Sequence, residues 1–181
     1  MHPAVKLIVL DRDGVINHDS DAYIKNPDEW RPIPGSLEAI ARLSKAGYRI
    51  VVATNQSGIA RKLFDVATLG AIHSKMHRAV ADAGGRIDAI FFCPHGPDEG
   101  CACRKPQPGL FEEILARFDA NAAEVHAIGD QLRDLQAAHA AGCRPILVLT
   151  GKGRATLAAG GLPPATVVRV DLAAVAAELA P

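Results

Sequence analysis

The sequence has no excess of either charge: 20 Lys and Arg stand against 20 Asp and Glu over 181 residues. Nucleic acid and anionic membrane surfaces are normally met by a clear basic surplus, so this balance argues against both as partners. Aromatic residues are scarce, at 4%, and no basic stretch interleaves with them, which again disfavours nucleic acid. No apolar run approaches the ~20 residues of a membrane span. The run at the N-terminus ends at Asp11, too soon for a secretory core with a cleavage site. A cytoplasmic address is therefore expected, and disulfides are disfavoured there. There is also no internal repeat, linker or low-complexity tract. With 49% hydrophobic and 22% charged residues, the chain has the make-up of an ordinary globular protein. Its length predicts one domain over residues 1–181, a monomer by default.

Short β-type runs alternate with longer helical patterns, which predicts an α/β fold: a central parallel sheet with helices on both faces. "VKLIVL" (5–10) is continuously apolar, as a buried parallel strand should be. "YRIVVAT", "IDAIFFC", "VHAIG" and "RPILVLTG" are further strands, with "TVVRV" a weaker sixth. "PGSLEAIARLSKAG" reads as a helix with Ser36 as N-cap, Leu37, Ile40 and Leu43 facing the core, and Gly47 as its stop. From Asp65 a longer helix carries Leu69, Ile72, Met76 and Val80 at helical spacing. His73 and His77 lie four apart on it. With no third ligand nearby in sequence, they read as surface histidines rather than a metal pair. Further helices are expected at "QPGLFEEILARF" and "DLQAAHAAG". Residues 17–35 form the one long irregular connection, of a kind that is usually functional or mobile.

Four of the strand ends carry unusual chemistry: "DRDGVIN" with Asp11 and Asp13, "TNQSG" with Thr54, "RKP" with Lys105, and "GDQLRD" with Asp130 and Asp134. Taken singly, each has a plain explanation as a turn former or a helix cap. Their recurrence at successive strand ends does not, because ligands of open parallel sheets bind at the strands' carboxyl ends. Carboxylates held together there call for a hard cation, Mg²⁺ with oxygen ligands. Paired carboxylates, a lysine and Mg²⁺ suit phosphoryl transfer, and the "TNQSG" turn adds a hydroxyl and backbone N–H donors for a phosphate.

These four segments, in this order, resemble motifs one to four of the haloacid dehalogenase-like phosphatases. The resemblance implies a three-layer Rossmann-like fold. It also implies Asp11 as the nucleophile that becomes an aspartyl-phosphate, and Asp13 as the acid that protonates the leaving oxygen and then activates water. Thr54 would bind the phosphoryl group and Lys105 would neutralise it. Mg²⁺ would sit on the Asp11 carboxylate, the Asp13 backbone carbonyl and Asp130. Asp134 orients Lys105 or, as the alternative, ligates the metal directly. An acid at position 13 separates the phosphatases of this family from its dehalogenases.

"CPHGPDEGCACRKP" (93–106) places Cys93, His95, Cys101 and Cys103 in one loop, four ligands that match a closed tetrahedral Zn²⁺ site. The spacing is not a regular finger, and a disulfide or four unrelated residues are the alternatives. With four protein ligands the zinc would be structural. Cys143 stands apart, as a small buried apolar residue. This loop, with "DRDGVIN" and "TNQSGIAR", resembles the D-glycero-D-manno-heptose 1,7-bisphosphate phosphatases, and the zinc-binding histidinol-phosphate phosphatases share the pattern. Both are capless, which implies an open active site. The chain departs in having Lys62-Leu63 where Gly often follows "GIAR", and in a short span from His95 to Cys101. Both departures fall where specificity is set.

For a sugar bisphosphate, Arg104 and Arg61, with Lys62 assisting, are the candidates for the second phosphate, since guanidinium groups bind phosphate bidentately. Asn17, Asn55 and Gln56 are further substrate-contact candidates. Histidinol phosphate would instead need an acid for its ammonium, from Asp19, Asp21, Asp28 or Glu29. The full "TNQSGIAR" stretch favours the heptose bisphosphate, whose 7-phosphate is removed on the way to the heptose precursor of lipopolysaccharide or other surface polysaccharide. A reading from another class is a zinc-stabilised binding module without catalysis, and the intact Asp11, Asp13, Lys105 and Asp130 speak against it.

Overall fold

An apolar run without polar alternation must be covered on both faces. In the computed structural model, which describes residues 5–181 and leaves residues 1–4 of the expected domain outside it, this run forms β1, Leu7–Leu10, buried at every position. There follow α1 (Ser36–Lys45), β2 (Arg49–Asn55), α2 (Val66–Asp82), β3 (Ala89–Cys93), α3 (Gly109–Phe118), β4 (His126–Gly129), α4 (Leu132–Ala140), β5 (Arg144–Val148), α5 (Gly153–Ala159), β6 (Val167–Arg169) and α6 (Leu172–Leu179). The six strands form one sheet in the order β3-β2-β1-β4-β5-β6, parallel throughout.

Alternate residues of the central strands feed two cores. Ile8, Leu10, Ile50 and Val52 pack with Ile40 and Leu43 of α1, Ile72 and Met76 of α2, and Leu172 and Val175 of α6. Leu7, Val9, Val51 and Ala53 pack on the other face with Leu110, Phe111 and Ile114 of α3 and with Ala137 and Ala138 of α4. The outcome is the expected three-layer α/β fold, with the sixth strand present. Cys143 is buried in the second core, as expected.

Residues 17–35 fold back on the body rather than into a cap. They contain a 3-10 turn at Pro27–Glu29, capped by Asn26, and isolated bridges at Asp13–Asn17 and Asn17–Pro32. Trp30 is 1% exposed, and Lys75 of α2 donates to the carbonyls of Pro27 and Trp30 at 2.7 and 3.0 Å.

Two local expectations are corrected. Ser36 is not the N-cap of α1. That position is Gly35, at φ 85°, and no side chain caps it, while the Ser36 hydroxyl donates instead to Val15 O at 2.8 Å. His73 is not a surface residue, at 8% exposure, whereas His77 is exposed. Neither α5 nor α6 was expected from the sequence. α5 buries only Gly153; α6 is a short alanine-rich helix of 8 residues whose Leu172, Val175 and Ala176 are buried at helical spacing, and Asp171 caps it by accepting from Ala174 N.

Candidate active site and metal centres

Sequence order along the sheet reverses between β1 and β4, the place where an open parallel sheet leaves a crevice beyond its carboxyl ends. Asp11 follows β1 and Asp130 follows β4, so the two acids straddle that crevice. β2 brings Thr54, the loop after β3 brings Lys105, and the first turn of α4 brings Asp134. All five are almost fully enclosed: Asp11 7%, Asp130 0%, Asp134 4%, Thr54 1% and Lys105 2% exposed.

Lys105 Nζ donates to Asp11 Oδ1 at 3.0 Å and to Ala53 O at 2.8 Å, and forms an ion pair with Asp134 Oδ1 at 2.8 Å. The other Asp134 oxygen accepts from Gln131 N at 3.0 Å. Both Asp134 oxygens are thereby engaged, one of them on the lysine. Asp130 differs: Oδ2 accepts from Lys152 N at 2.8 Å, while Oδ1 is buried with no hydrogen-bond partner. Gly14 is needed for this approach. It sits at φ 84°, and a Cβ there would fall 2.1 Å from Asp130 Oδ2.

Asp11, Asp13, Asp130 and Asp134 crowd together with, among the described residues, two buried cations beside them, Lys105 and Arg12. Burial, then Asp134, raises the Asp11 carboxyl to about 7 against the pull of Lys105. Burial, then Asp11 and Asp134, raises Asp130 to about 8. Burial would lower Lys105, but Asp11 and Asp134 together hold it above its ordinary value. Ionised together, the four carboxylates would exceed the two cations by two charges, and without a further cation Asp11 and Asp130 take up that excess as protons. Oxygen atoms of Asp11, Asp130 and Asp134 lie within 4.8 Å of one another. An orphaned buried carboxylate oxygen beside that cluster fits a hard divalent cation such as Mg²⁺.

Asp13 is held differently. Burial would raise its pKa, but the Arg12 guanidinium and hydrogen bonds from Asn17 and Gln56 outweigh this and keep it below the ordinary carboxylate range. Asn17 had been expected at the substrate. It is instead fully buried, with its amide donating to Asp13 Oδ1 at 2.9 Å and to His18 O at 3.0 Å. Gln56 donates to Asp13 Oδ2 at 3.2 Å and to Thr54 Oγ1 at 2.9 Å. Asn55 clamps the Lys105 backbone in both directions, donating to its carbonyl at 3.0 Å and accepting from its N–H at 3.1 Å.

Beyond β3, the donor atoms of Cys93, His95, Cys101 and Cys103 also lie within 4.8 Å of one another. Sulfur separations of 3.6, 3.0 and 3.5 Å are far outside the ~2.05 Å of a disulfide, and all four cysteines are free. Three thiols and an imidazole around one point suit zinc, whose bonds to sulfur are ~2.3 Å. The cluster is tied to its surroundings by Arg104 Nη1 donating to His95 O at 3.2 Å and by Gly109 N donating to Ala102 O at 3.0 Å.

A cleft of about 200 Å³ opens over the acids. Asp11 and Asp13 line it, with Asn55, Gln56, Arg61 and Arg104. Arg133 also lines it, with its Nε buried and unpartnered; sequence reasoning had passed over this residue. Its signal lay in "GDQLRD", where the start of α4 sets position 133 beside Asp134. Lys62 does not line this cleft and is exposed. Among the described residues, none of the three arginines pairs with a carboxylate. The acids at the mouth, Asp19 and Asp21, pair with Lys152 at 3.4 and 2.8 Å. Asp28 and Glu29 do not line the cleft, and Glu29 pairs with Lys25.

Among the described residues, no helix is long and apolar enough to cross a membrane. The family model described as polynucleotide kinase 3 phosphatase matches residues 6–138, and the one described as HAD-hydrolase-like matches residues 102–175. The chain is 66% identical to the D-glycero-beta-D-manno-heptose-1,7-bisphosphate 7-phosphatase of Bordetella bronchiseptica, over 97% of this chain and 98% of the relative. It is 55% identical to the protein of the same name from Pseudomonas putida, over 97% and 99%. Of solved structures, it is similar to the D,D-heptose 1,7-bisphosphate phosphatase from B. bronchiseptica complexed with magnesium and phosphate, with a TM-score of 0.95 at 66% identity over 97% and 98% of the two chains. It is also similar to the enzyme of that name from Burkholderia thailandensis, with a TM-score of 0.77 at 56% identity over 96% and 97%. With the four strand-end segments gathered around one cleft, these likenesses establish that the chain belongs to the haloacid dehalogenase-like phosphatases, in the family of the D-glycero-D-manno-heptose 1,7-bisphosphate 7-phosphatases.

Proposed function

We propose that this protein is a Mg²⁺-dependent phosphatase that removes the 7-phosphate of D-glycero-D-manno-heptose 1,7-bisphosphate through an aspartyl-phosphate, serving the heptose precursor of bacterial surface polysaccharide. In the first step an Asp11 oxygen attacks phosphorus. The bond to the sugar oxygen breaks, and the departing oxygen keeps the electron pair and takes a proton from Asp13, which is ionised in the resting site and gains that proton from solvent as the anionic phosphate binds beside it. In the second step Asp13 accepts a proton from water as the water attacks the phosphoryl group, which frees Asp11 and inorganic phosphate. Lys105 offsets charge on Asp11 and on the phosphoryl oxygens, Thr54 contributes its hydroxyl, and Asp134 holds Lys105 in place. The Asp11 carboxylate, the Asp13 backbone carbonyl and Asp130 would hold Mg²⁺, which when bound supplies charge stabilisation to the transferring group. Cys93, His95, Cys101 and Cys103 would hold a structural zinc.

The observation that carries the substrate assignment is the set of three guanidinium groups, Arg61, Arg104 and Arg133, around the cleft without a carboxylate partner among the described residues. The scissile phosphate is already offset by Lys105 and the metal, so three further cations fit a second anionic group, the 1-phosphate. Histidinol phosphate would bring an ammonium to the same place. Asp19 and Asp21, the acids at the mouth, already pair with Lys152, so the arrangement disfavours that substrate. The test is kcat/KM for the heptose bisphosphate, in both anomers, beside histidinol phosphate. A preference of ~10²-fold or more for the bisphosphate is expected, since a buried charged contact left unmade costs about 1.5–3 kcal/mol. Preference for histidinol phosphate would overturn the substrate, and absence of turnover on either would overturn the phosphatase reading.

A further inference from the structure

Arg12 lies between the two catalytic acids in sequence and is completely buried. Its Nε donates to Asp13 Oδ1 at 3.0 Å, and its Nη2 donates to Oδ1 and Oδ2 at 2.9 and 3.1 Å. The remaining nitrogen, Nη1, is 3.2 Å from Nε2 of His73. His73 comes from the middle of α2 and is 8% exposed, with its ring edge-on to Phe92 at 6.5 Å between centroids. Burial first, then Arg12, lowers its pKa to about 3, so the ring is neutral and Nε2 is free to accept, which leaves the ring proton on Nδ1.

A buried guanidinium costs stability unless its donors are met, and an apolar side chain of similar volume would usually serve packing better. All three nitrogens of Arg12 are engaged here, and two of them hold one carboxylate. Asn17 and Gln56 reach the same carboxylate from other elements at 2.9 and 3.2 Å. We propose that His73 and Arg12 are positioning residues of the reaction. His73 fixes the turn of the Arg12 fork, and the fork holds the Asp13 carboxylate in one orientation in the resting site; a proton taken up from solvent as the anionic phosphate binds beside it is then aimed at the departing sugar oxygen. This rests on the phosphatase reading above and adds to it a residue 60 positions away in sequence, on α2.

Leaving-group dependence separates this role from a merely structural one. The departing oxygen of a sugar phosphate needs a proton, whereas p-nitrophenolate and acetate leave without one. The measurement is kcat/KM, which reports the first chemical step, for Arg12→Lys, His73→Leu and His73→Gln. Each is assayed on the heptose bisphosphate and on p-nitrophenyl phosphate and acetyl phosphate, with thermal stability recorded alongside. Arg12→Lys and His73→Leu should lose ~10²-fold on the sugar ester, the scale of general acid catalysis, and less than ~5-fold on the activated esters. His73→Gln, which keeps an acceptor for Nη1, should recover most of the loss. Equal losses on all esters, full sugar-ester activity in a folded variant, or no recovery in His73→Gln would overturn the proposal. If His73→Leu does not fold, Arg12→Lys and His73→Gln decide. Failure of the wild type on every ester would strike the phosphatase reading instead.

Discussion

Lys105→Met removes one positive charge from the most crowded electrostatic environment in the protein while keeping nearly all the side-chain volume. The ammonium is within 3.0 Å of Asp11 and 2.8 Å of Asp134, and among the described residues neither acid has another ion-pair partner. Removing one partner of a buried pair costs about 3–5 kcal/mol, because the carboxylate left behind stays dehydrated. In a chain of this size each kcal/mol moves Tm by ~2–4 °C. A fall of about 6–20 °C is therefore expected in magnesium-free buffer at pH 8.

The loss should depend on pH, with a definite sign. Asp11 at about 7 and Asp130 at about 8 are raised in the folded protein above the ~4 of an unfolded chain. The folded state therefore holds more protons, and stability from these groups is full below ~4 and is lost as pH rises through 7 and 8. Lys105 is the largest influence opposing the rise at Asp11. Without it the Asp11 value climbs further, and the loss on raising pH becomes larger. The Tm gap between variant and wild type should be small at pH 5 and open steadily towards pH 8, as read by calorimetry in magnesium-free buffer. An equal gap at pH 5 and pH 8 would refute the charge argument and leave only packing. With saturating Mg²⁺, phosphate release by Lys105→Met should also fall by ~10²–10³-fold, the usual cost of one preorganised charge-stabilising donor.

Three other perturbations address separate parts of the site. Arg133→Gln and Arg104→Gln should each lower kcat/KM on the heptose bisphosphate ~10–100-fold, from about 1.5–3 kcal/mol per charged contact, with little change on heptose 7-phosphate; equal losses on both sugars would exclude a second-phosphate role. Cys101→Ser should lower the zinc content measured by mass spectrometry and reduce kcat/KM, and full zinc retention would show that the four-residue cluster is not the binding unit. Gly14→Ala drives a Cβ towards Asp130 Oδ2 from a backbone at φ 84°. Its Mg²⁺ affinity, from titration of activity, should weaken ~10–100-fold, and an unchanged titration would mean that Asp130 is not a ligand.

The strand ends were legible because an apolar run that stops at an acid is both a strand signal and a site signal. Asp11 and Asp130 are each the first residue after such a run, and Lys105 follows three cysteines that have little other purpose. Contacts made through the long connection were not legible. Asn17 lies under Asp13 because an isolated bridge turns the chain there, and no periodicity announces a bridge. His73 was misread because its partner at i+4, His77, is exposed. Yet Leu69, His73, Met76 and Val80 share helical spacing, and a polar residue within an apolar stripe signals a buried hydrogen bond. Arg133 was hidden between two acids of a familiar segment, where attention falls on the acids.

The zinc cluster lies where the fold has least else to hold a catalytic residue. β3 is the edge strand of the sheet and is half-buried for most of its length, and no regular element spans residues 94–108. Ordering the eleven residues 94–104 at roughly 1–2 kcal/mol each costs about 11–22 kcal/mol. That loop offers little apolar surface to offset the cost. A structural zinc contributes about 10–16 kcal/mol in small domains, which is of the same size. Cys93 ends β3 and Cys103 stands two residues before Lys105, so the cluster spans the stretch that needs support, and the Asn55 clamp takes over at Lys105 itself. On this argument the zinc takes no part in the reaction. Bound at the four ligands, it would serve to keep Lys105 in place beside Asp11 when a substrate arrives.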